Sequence, residues 1–248
     1  MPSFKYRKVI AFAGLMVQVA ISSGSSPITT KNQIDDQIIS YTVDPKKQDV
    51  QFYWKNDDGE IFRNIQRLKD YLIRKNRKLV FAMNGGMFKA DNSPVGLFIE
   101  HRKVITQIDT SSGEGNFYLK PNGILYIDTN NKAGVCRTTD FKKNGPVKFA
   151  TQSGPMLLLD GQAHPAFSQG STNVNIRNAV GILPGNKLLF AMSRIPINFY
   201  AFASWFKSKG CDNALYLDGF VSKIYLPEKQ CEQMDGNLGV IIGSSVSY

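Results

Sequence analysis

Short apolar runs separated by glycine, proline and asparagine recur along the chain from about residue 37 onward. Each run spans about four to eight residues, which is typical of β-strands rather than helices. The runs predict strands at 38–43, 50–54, 79–83, 95–100, 103–108, 116–120, 123–128, 156–159, 179–183, 188–192, 214–217 and 238–243.

Two segments instead repeat their apolar residues at helical spacing. In 61–74 the apolar positions include Ile65, Leu68 and Leu72, with basic residues between them. In 198–209 several phenylalanines recur at the same spacing, and Gly210 follows as a typical helix end. We therefore expect two helices beside a sheet.

The order of these elements predicts one α+β domain over residues 37–248, with a β-rich core of mixed or largely antiparallel sheet and a few flanking helices. The whole chain has 248 residues, 42% of them hydrophobic and 20% charged, which is ordinary for a globular protein. No internal repeat or low-complexity segment divides this region.

The N-terminus has the residue order of an export signal. Lys5, Arg7 and Lys8 precede an uncharged stretch at 9–21, and small residues follow it. This order predicts a signal peptide at 1–24, then a linker at 25–36 and a periplasmic or extracellular protein. An uncleaved N-terminal anchor is the alternative, and no later stretch is long enough to span a membrane.

The charge balance is basic. The formal net charge is +10, and removing the three basic residues of segment 1–24 leaves +7. Such a chain favours anionic partners, such as phosphate-bearing glycans, acidic polymers or membrane surfaces. Nucleic acid fits least, because an exported protein does not meet it and no nucleic-acid module is present.

Cysteine and histidine give little support for a metal site or a histidine-based triad. Cys211 and Cys231 suit a disulfide around the segment between them, which leaves Cys136 unpaired, and three free thiols are the alternative. His101 and His164 are isolated in sequence. No cofactor is predicted, and no ligand spacing supports a divalent cation.

Several predicted strands begin or end at a polar residue with glycine nearby. The strand at 214–217 ends at Asp218-Gly219, and the strand at 79–83 ends at Asn84. In one sheet these ends can meet at a cleft. A hairpin turn is the alternative for Asp218-Gly219, and capping of a turn is the alternative for Asn84.

These residue types suit chemistry on a sugar phosphate. Arg177 can offer two parallel hydrogen bonds to phosphate oxygens, although a buried salt bridge is its alternative. Backbone amides at Gly85, Gly86 and Gly154 can donate to an anion. Asp218 can act as base, nucleophile or electrostatic stabiliser at a sugar carbon.

Four motifs occur in one order: Asn84-Gly-Gly-Met-Phe88, Ser153-Gly-Pro-Met-Leu157, Arg177-Asn-Ala-Val-Gly181, and Leu217-Asp-Gly219 followed by Ser222. Through them the chain resembles the phosphodiester glycosidase family, and in particular its bacterial exported branch, over about residues 79–243. The resemblance implies hydrolysis of a sugar 1-phosphodiester to a free sugar and a phosphomonoester. The expected partner is a phosphorylated or phosphodiester-linked glycan.

The motifs supply the candidate site. Asp218, Arg177 and Asn84 are the candidate catalytic residues. The candidate substrate-binding residues are Gly85, Gly86, Phe88, Ser153, Gly154, Pro155, Asn178, Gly219 and Ser222.

Two features depart from the family pattern. Phe220 stands where many members of the family have a second glycine, and no motif supplies a second carboxylate, for which Glu100 and Asp91 are candidates. The alternative function is therefore a non-catalytic envelope protein that binds glycans or phosphoglycans. A further alternative is a surface-associated protein that uses its basic face and an uncleaved N-terminus at the membrane.

Overall fold

The structure is a computed structural model that describes Met1 and residues 34–142 and 145–248. The predicted signal peptide, apart from Met1, and most of the predicted linker lie outside the described residues. In the described part of the chain, no helix is both long enough and apolar enough to cross a membrane.

Sixteen strands and two α-helices are present among the described residues. The strands are β1 (Ile38–Val43), β2 (Asp49–Tyr53), β3 (Arg77–Asn84), β4 (Phe98–Glu100), β5 (Lys103–Thr106), β6 (Gly123–Asp128), β7 (Ala133–Arg137), β8 (Val147–Ser153), β9 (Met156–Leu159), β10 (Gln162–Ala163), β11 (Asn178–Leu183), β12 (Lys187–Ser193), β13 (Asn213–Asp218), β14 (Ile224–Leu226), β15 (Cys231–Glu232) and β16 (Ile241–Ser247). The helices are α1 (Ile65–Arg74) and α2 (Phe199–Ser208).

The strands form three antiparallel sheets. The first has the order β1-β12-β11-β13-β9-β10, the second β15-β14-β3-β16-β2, and the third β5-β4-β8-β6-β7. Every pair of neighbouring strands runs antiparallel. The predicted α+β class, with a largely antiparallel core in one domain, is confirmed.

All three sheets contribute to one hydrophobic core. Phe81 from the second sheet, Phe149 from the third, and Phe190 and Leu215 from the first are buried in the same cluster. In β1, for example, the alternate residues Ile39, Tyr41 and Val43 point to this side, as the period of two along a strand requires. Burying each large apolar side chain contributes about 1.5–3 kcal/mol, so this shared core holds the three sheets together.

The helices cover the outer faces of two sheets. Leu68 and Leu72 of α1 pack in a cluster with residues of the second sheet, and Phe202 and Phe206 of α2 do so against the first sheet. The two predicted helices are thereby confirmed, with one boundary shifted. α1 begins after Asn64 rather than at 61, because the Asn64 side chain accepts the N–H of Arg67 and caps the first turn.

Residues 116–120 are not a strand, contrary to the sequence prediction. Asn116–Tyr118 form a short 3-10 helix. The side chain of Asn122 donates to the carbonyl of Phe117 at 3.0 Å, and this carbonyl also packs closely against Gly154. Those local contacts fold the segment onto the end of β8 instead of leaving it extended for pairing.

The structure does not contain the Cys211–Cys231 disulfide suggested by the sequence. Cys136, Cys211 and Cys231 all carry free thiols. Cys211 is buried on the α2 side of the first sheet, whereas Cys231 lies in β15 of the second sheet and packs against the central core. The chain from 211 to 231 thus crosses between sheets, which sequence spacing alone does not reveal.

Candidate functional site

Asp218 is the last residue of β13, which lies between β11 and β9 inside the first sheet. Its side chain is buried, with only 5% of the residue exposed. The carboxylate Oδ1 accepts the backbone N–H groups of Gly219 at 2.6 Å and Phe220 at 3.0 Å. Two amide donors therefore compensate part of the cost of burying this carboxylate.

The Asp218-Gly219 pair is not a hairpin turn. The next strand, β14, belongs to the second sheet, so residues 219–223 cross from one sheet to the other. Gly219 is needed at the start of this crossing because the Tyr216 hydroxyl lies beneath it. A Cβ at position 219 would lie 1.6 Å from that hydroxyl oxygen.

Two asparagine side chains hold the Asp218 segment in place. Asn178 accepts the backbone N–H of Asp218 at 2.8 Å and donates to the side-chain oxygen of Asn84 at 2.6 Å. Asn84 also accepts the backbone N–H of Lys223 at 2.9 Å and donates to the carbonyl of Val221. Both asparagines are buried. They position the backbone around the carboxylate, and neither is among the residues that line the two cavities next to this segment.

The two serines of the predicted set also act on the backbone. The Ser222 hydroxyl lies 3.2 Å from the carbonyl of Asp218 and 3.3 Å from that of Ile176. The Ser153 hydroxyl is buried and donates to the carbonyl of Leu217 at 2.8 Å. Ser153 therefore braces β13 from β8 and is not available to a substrate.

Arg177, predicted as a phosphate ligand, is not among the residues that line the cavity beside Asp218. It is fully buried, and its guanidinium donates to the carbonyls of Ile197 at 2.7 Å and Asn173 at 2.8 Å. The guanidinium carbon lies 3.6 Å from the ring centroid of Phe199. Arg177 precedes Asn178, and successive side chains of an extended chain point to opposite faces, so Arg177 faces α2 while Asn178 faces Asp218.

The buried-salt-bridge alternative for Arg177 does not hold either. In the part of the chain that the structure describes, Arg177 forms no ion pair. Its additional contacts are the Asn173 side chain at 3.0 Å and the Tyr216 hydroxyl at 3.4 Å. Burial lowers the pKa of the guanidinium from its ordinary value. Arg177 is thus a structural cation solvated by carbonyls and aromatic rings.

The buried carboxylate of Asp218 borders a cavity of about 490 Å³. The lining residues are Met87, Phe88, Lys89, Ala90, Asn116, Asp218, Gly219, Phe220, Val221 and Asn237. The structure therefore brings Asp218, Phe88 and Gly219 of the predicted set to one cavity. Lys89, Asn116 and Asn237 are additional polar residues that sequence reasoning missed, although Lys89 directly follows the Asn84-Phe88 motif.

The predicted glycine cradle does not line this cavity. Gly85 is buried, its N–H donates to the carbonyl of Val240 at 2.8 Å, and a Cβ there would lie 2.5 Å from Ile242. Gly154 packs against Asn122 in the same way. Two further predicted residues, Gly86 and Pro155, are also buried and are not among the residues that line this cavity. Close packing explains these glycines.

The environment of Asp218 changes its acidity. Burial raises its pKa from 3.8 to about 6, and the backbone N–H groups and Asn84 oppose this rise by stabilising the ionised form. A carboxyl with this pKa is mostly ionised at neutral pH yet takes up a proton readily. This is the property expected of a general base.

Neither candidate for a second carboxylate lines the cavity. Glu100 ends β4 near Trp54, where burial raises its pKa to about 7. Asp91 is in the turn after Lys89, where it accepts hydrogen bonds from Ser93. Asp218 is thus the one acidic residue among those that line this cavity. Among the described residues, no group of three or more His, Cys, Asp or Glu is placed to hold a metal ion.

The chain belongs to the phosphodiester glycosidase family, because the sequence model of that family matches residues 77–236. This span includes Asp218 together with Asn84, Asn178 and Lys89. One relative is the uncharacterized protein YigE of Escherichia coli strain K12, which is 36% identical over 188 residues. The match covers 75% of this chain and 73% of that protein.

Solved structures share the fold at lower sequence identity. The catalytic domain of zebrafish N-acetylglucosamine-1-phosphodiester alpha-N-acetylglucosaminidase, auto-inhibited by its pro-peptide, matches with a TM-score of 0.58 at 16% identity, covering 84% of this chain and 83% of that chain. A hypothetical protein from Synechocystis matches with a TM-score of 0.54 at 12% identity, covering 84% of this chain and 59% of that chain. A protein from Burkholderia pseudomallei K96243, whose name marks it as a candidate for export, matches with a TM-score of 0.55 at 9% identity. This match covers 84% of this chain and 73% of that chain.

Proposed function

We propose that this protein hydrolyses sugar 1-phosphodiesters. A water molecule attacks the anomeric carbon, the bond from that carbon to the phosphate oxygen breaks, and the phosphomonoester leaves with the electron pair. The products are a free sugar and a phosphomonoester. The proposal rests on one observation above all: in a member of this family, Asp218 is the carboxylate that lines the cavity, and backbone amides fix its position.

In this reaction Asp218 takes the proton from the attacking water. Its pKa of about 6 keeps it ionised at neutral pH, so it can accept that proton as the bond to the anomeric carbon forms. A phosphomonoester is a good leaving group and departs as an anion. This accounts for a cavity with one carboxylate, where glycosidases acting on alcohol leaving groups use two.

Lys89 is the cation that serves the phosphate in this proposal. It is exposed and lines the same cavity as Asp218, whereas Arg177 is buried elsewhere. An ammonium group pairs with phosphate oxygens as a point charge. It stabilises the negative charge that increases on the leaving group as the bond breaks. Asn116 and Asn237 add neutral donors to the lining.

The test is release of free sugar from a panel of sugar 1-phosphodiesters that differ in the sugar. We expect one sugar to be released by the purified chain, and Asp218→Asn to lower kcat by about 10²- to 10⁴-fold, the usual contribution of a general base. Asp212→Asn is the matched control, because it changes an exposed acid beside the opposite end of β13. Wild-type turnover by Asp218→Asn would refute the assigned role.

The alternative is a glycan-binding protein without turnover. The observation that favours it is the absence of a second acid among the residues that line the cavity. Under this alternative, the panel gives measurable binding and no free sugar, and binding persists in Asp218→Asn. The same experiment therefore separates the two functions.

We also propose that the protein is exported. The support is the N-terminal order of basic, uncharged and small residues in segment 1–26. N-terminal sequencing of the protein recovered from the periplasm or the medium tests this, and we expect the mature chain to begin near residue 25. A full-length chain recovered with the membrane fraction would contradict cleavage.

A further inference from the structure

A second cavity, of about 580 Å³, lies next to the cavity of Asp218, on the other side of the segment 219–223 that crosses between the sheets. Gly219, Phe220 and Val221 line both cavities, so a wall three residues wide separates them. The rest of the second cavity comes from Ile39 of β1, from the segment before β11, from the end of β12 and from residues next to β14 and in or next to β15. A molecule that extends beyond the first cavity over this wall enters the second.

The second cavity is positively charged. Arg194 and Lys223 line it, and no acidic residue is among its lining residues in the described chain. Lys223 pairs with Asp235 at 2.9 Å, but the Asp235 side chain is 76% exposed, so water and salt screen this pair. Arg194 is exposed and forms no ion pair within the described ranges. An anion entering this cavity meets an available guanidinium.

A neutral donor adds to the charge. The side-chain oxygen of Gln233 accepts the backbone N–H of Ile224 at 3.2 Å, which leaves its amide N–H groups to donate elsewhere. Gln233 lines the same cavity as Arg194. A carboxylate or phosphate with several oxygens can therefore bind both residues at once.

Phe220 marks the boundary between the two cavities. Its side chain is fully exposed, at 100% of the reference area. The backbone on both sides of this ring is fixed. The N–H of Phe220 donates to the Asp218 side chain, and the carbonyl of the following residue, Val221, accepts from the Asn84 side chain. A large apolar ring exposed on a fixed backbone suits a ligand that covers it, and sugar rings stack on aromatic faces through their C–H groups.

We infer that the substrate lies across Phe220, with its sugar in the cavity of Asp218 and a negatively charged aglycone in the cavity of Arg194. The preferred substrates are then sugar 1-phosphodiesters in which the group on the far side of the phosphate carries a carboxylate or a second phosphate. This inference rests on the proposed function, because it assigns the two sides of the bond that is cleaved.

The test compares two phosphodiesters of one sugar at constant ionic strength, a carboxymethyl ester and a neutral 2-hydroxyethyl ester. We expect kcat/KM to be about tenfold higher for the carboxymethyl ester, the size of one charge-assisted hydrogen bond. Arg194→Gln is expected to bring the ratio near one. Lys187→Gln, an exposed lysine at the other end of β12, is expected to keep it.

A binding measurement keeps the two proposals distinguishable. By calorimetry, 2-phosphoglycolate should bind more tightly than ethyl phosphate to the full chain, and Arg194→Gln should remove the difference. If no diester is cleaved but this difference is found, the proposed hydrolysis fails and the anion subsite stands. If both esters are cleaved with equal kcat/KM, or both phosphates bind equally, the inferred subsite is overturned and the hydrolysis is unaffected.

Discussion

The side-chain oxygen of Asn178 accepts the backbone N–H of Asp218 at 2.8 Å, while its amide group donates to Asn84 at 2.6 Å. One buried side chain thus links the end of β13 to the end of β3, which belongs to another sheet. The position of the Asp218 carboxylate depends on this link, because the residues that directly follow Asp218 already leave β13 and cross to the second sheet.

We expect Asn178→Ala to lower both stability and turnover. The substitution leaves the Asp218 N–H and the Asn84 side chain without their partner, which costs about 1–3 kcal/mol for a buried group. A displaced carboxylate lowers kcat by up to about 100-fold. Urea unfolding and steady-state kinetics measure the two effects.

The control for Asn178→Ala is Ile182→Ala on the same strand, which is half-buried and distant from Asp218. We expect this variant to lose stability and to keep its kcat under conditions where it is folded. A turnover loss in Ile182→Ala as large as that in Asn178→Ala would mean that lower stability, rather than the link to Asp218, explains the effect.

The activity should rise with pH through the pKa of Asp218. The base must be ionised, and burial places its pKa at about 6. We therefore expect kcat/KM to rise about tenfold per pH unit below pH 6 and to level off above it. A profile that stays flat from pH 5 to pH 8 would exclude Asp218 as the base.

The same carboxylate should make the protein less stable at neutral pH than at acidic pH. Its pKa is higher in the folded chain than its ordinary value of 3.8, so the fold binds the proton more tightly, and this contribution to stability is lost as pH rises from about 4 to about 6. The full difference corresponds to about 3 kcal/mol. Asp218→Asn removes the buried charge, so at pH 7 it should be more stable than wild type by up to that amount.

Urea unfolding at pH 4 and pH 7 measures this effect, and the gain of Asp218→Asn should disappear at pH 4. For the exposed Asp212→Asn we expect a change within about 0.5 kcal/mol at both pH values. An Asp218→Asn variant that is less stable than wild type at pH 7 would show that the two backbone hydrogen bonds outweigh the cost of burial.

Gly219 and Tyr216 should be energetically coupled. A Cβ at position 219 would lie 1.6 Å from the Tyr216 hydroxyl oxygen, so Gly219→Ala forces the ring or the crossing to move. We expect a loss of about 1–3 kcal/mol, as for other overpacked sites. Tyr216→Phe removes the clashing atom, and the double variant should recover part of the loss.

A double-mutant cycle on unfolding free energies measures this coupling. Tyr216→Phe alone also loses the contact with Arg177 at 3.4 Å, so the cycle, and not the double variant alone, gives the interaction term. Additive costs would contradict the close approach of the hydroxyl to position 219.

Lys89 should matter for the phosphate and not for the fold. Lys89→Gln removes a cation from the cavity, and we expect kcat/KM to fall by about 10- to 100-fold, the range of a hydrogen bond to a charged group. The free energy of unfolding should change by less than about 0.5 kcal/mol, because the lysine is exposed. Lys103→Gln in β5 is the control, and equal losses in the two variants would point to a general charge effect.

The sequence predicts most of the strands and both helices well, because a buried face gives each of them a regular spacing of apolar residues. β1 and β6 have the predicted bounds, and both helices lie where the apolar spacing indicates. In the predicted strand at 116–120, Asn116–Tyr118 form a 3-10 helix instead, since contacts with Asn122 and Gly154 determine the conformation of this segment. Such individual contacts leave no periodic signal in the chain.

The sequence motifs name residues that lie close together in the structure, but they do not define what each side chain contacts. The polar strand ends do bring Asn84 and Asn178 to Asp218. A motif does not distinguish a residue that lines a cavity from one that braces the backbone, and Arg177 and Ser153 prove to be of the second kind. Lys89 lies one residue beyond a motif and is revealed only by the shape of the cavity.

The link between Asn84 and Asn178 joins residues 94 positions apart, and it is complete only when Asp218 and Lys223 have also reached it. During synthesis Asn84 leaves the ribosome well before Asn178, Asp218 and Lys223 do. The Asp218 carboxylate is therefore held in place only once the chain has been made at least as far as Lys223. A nascent chain that ends before Lys223 lacks this complete link.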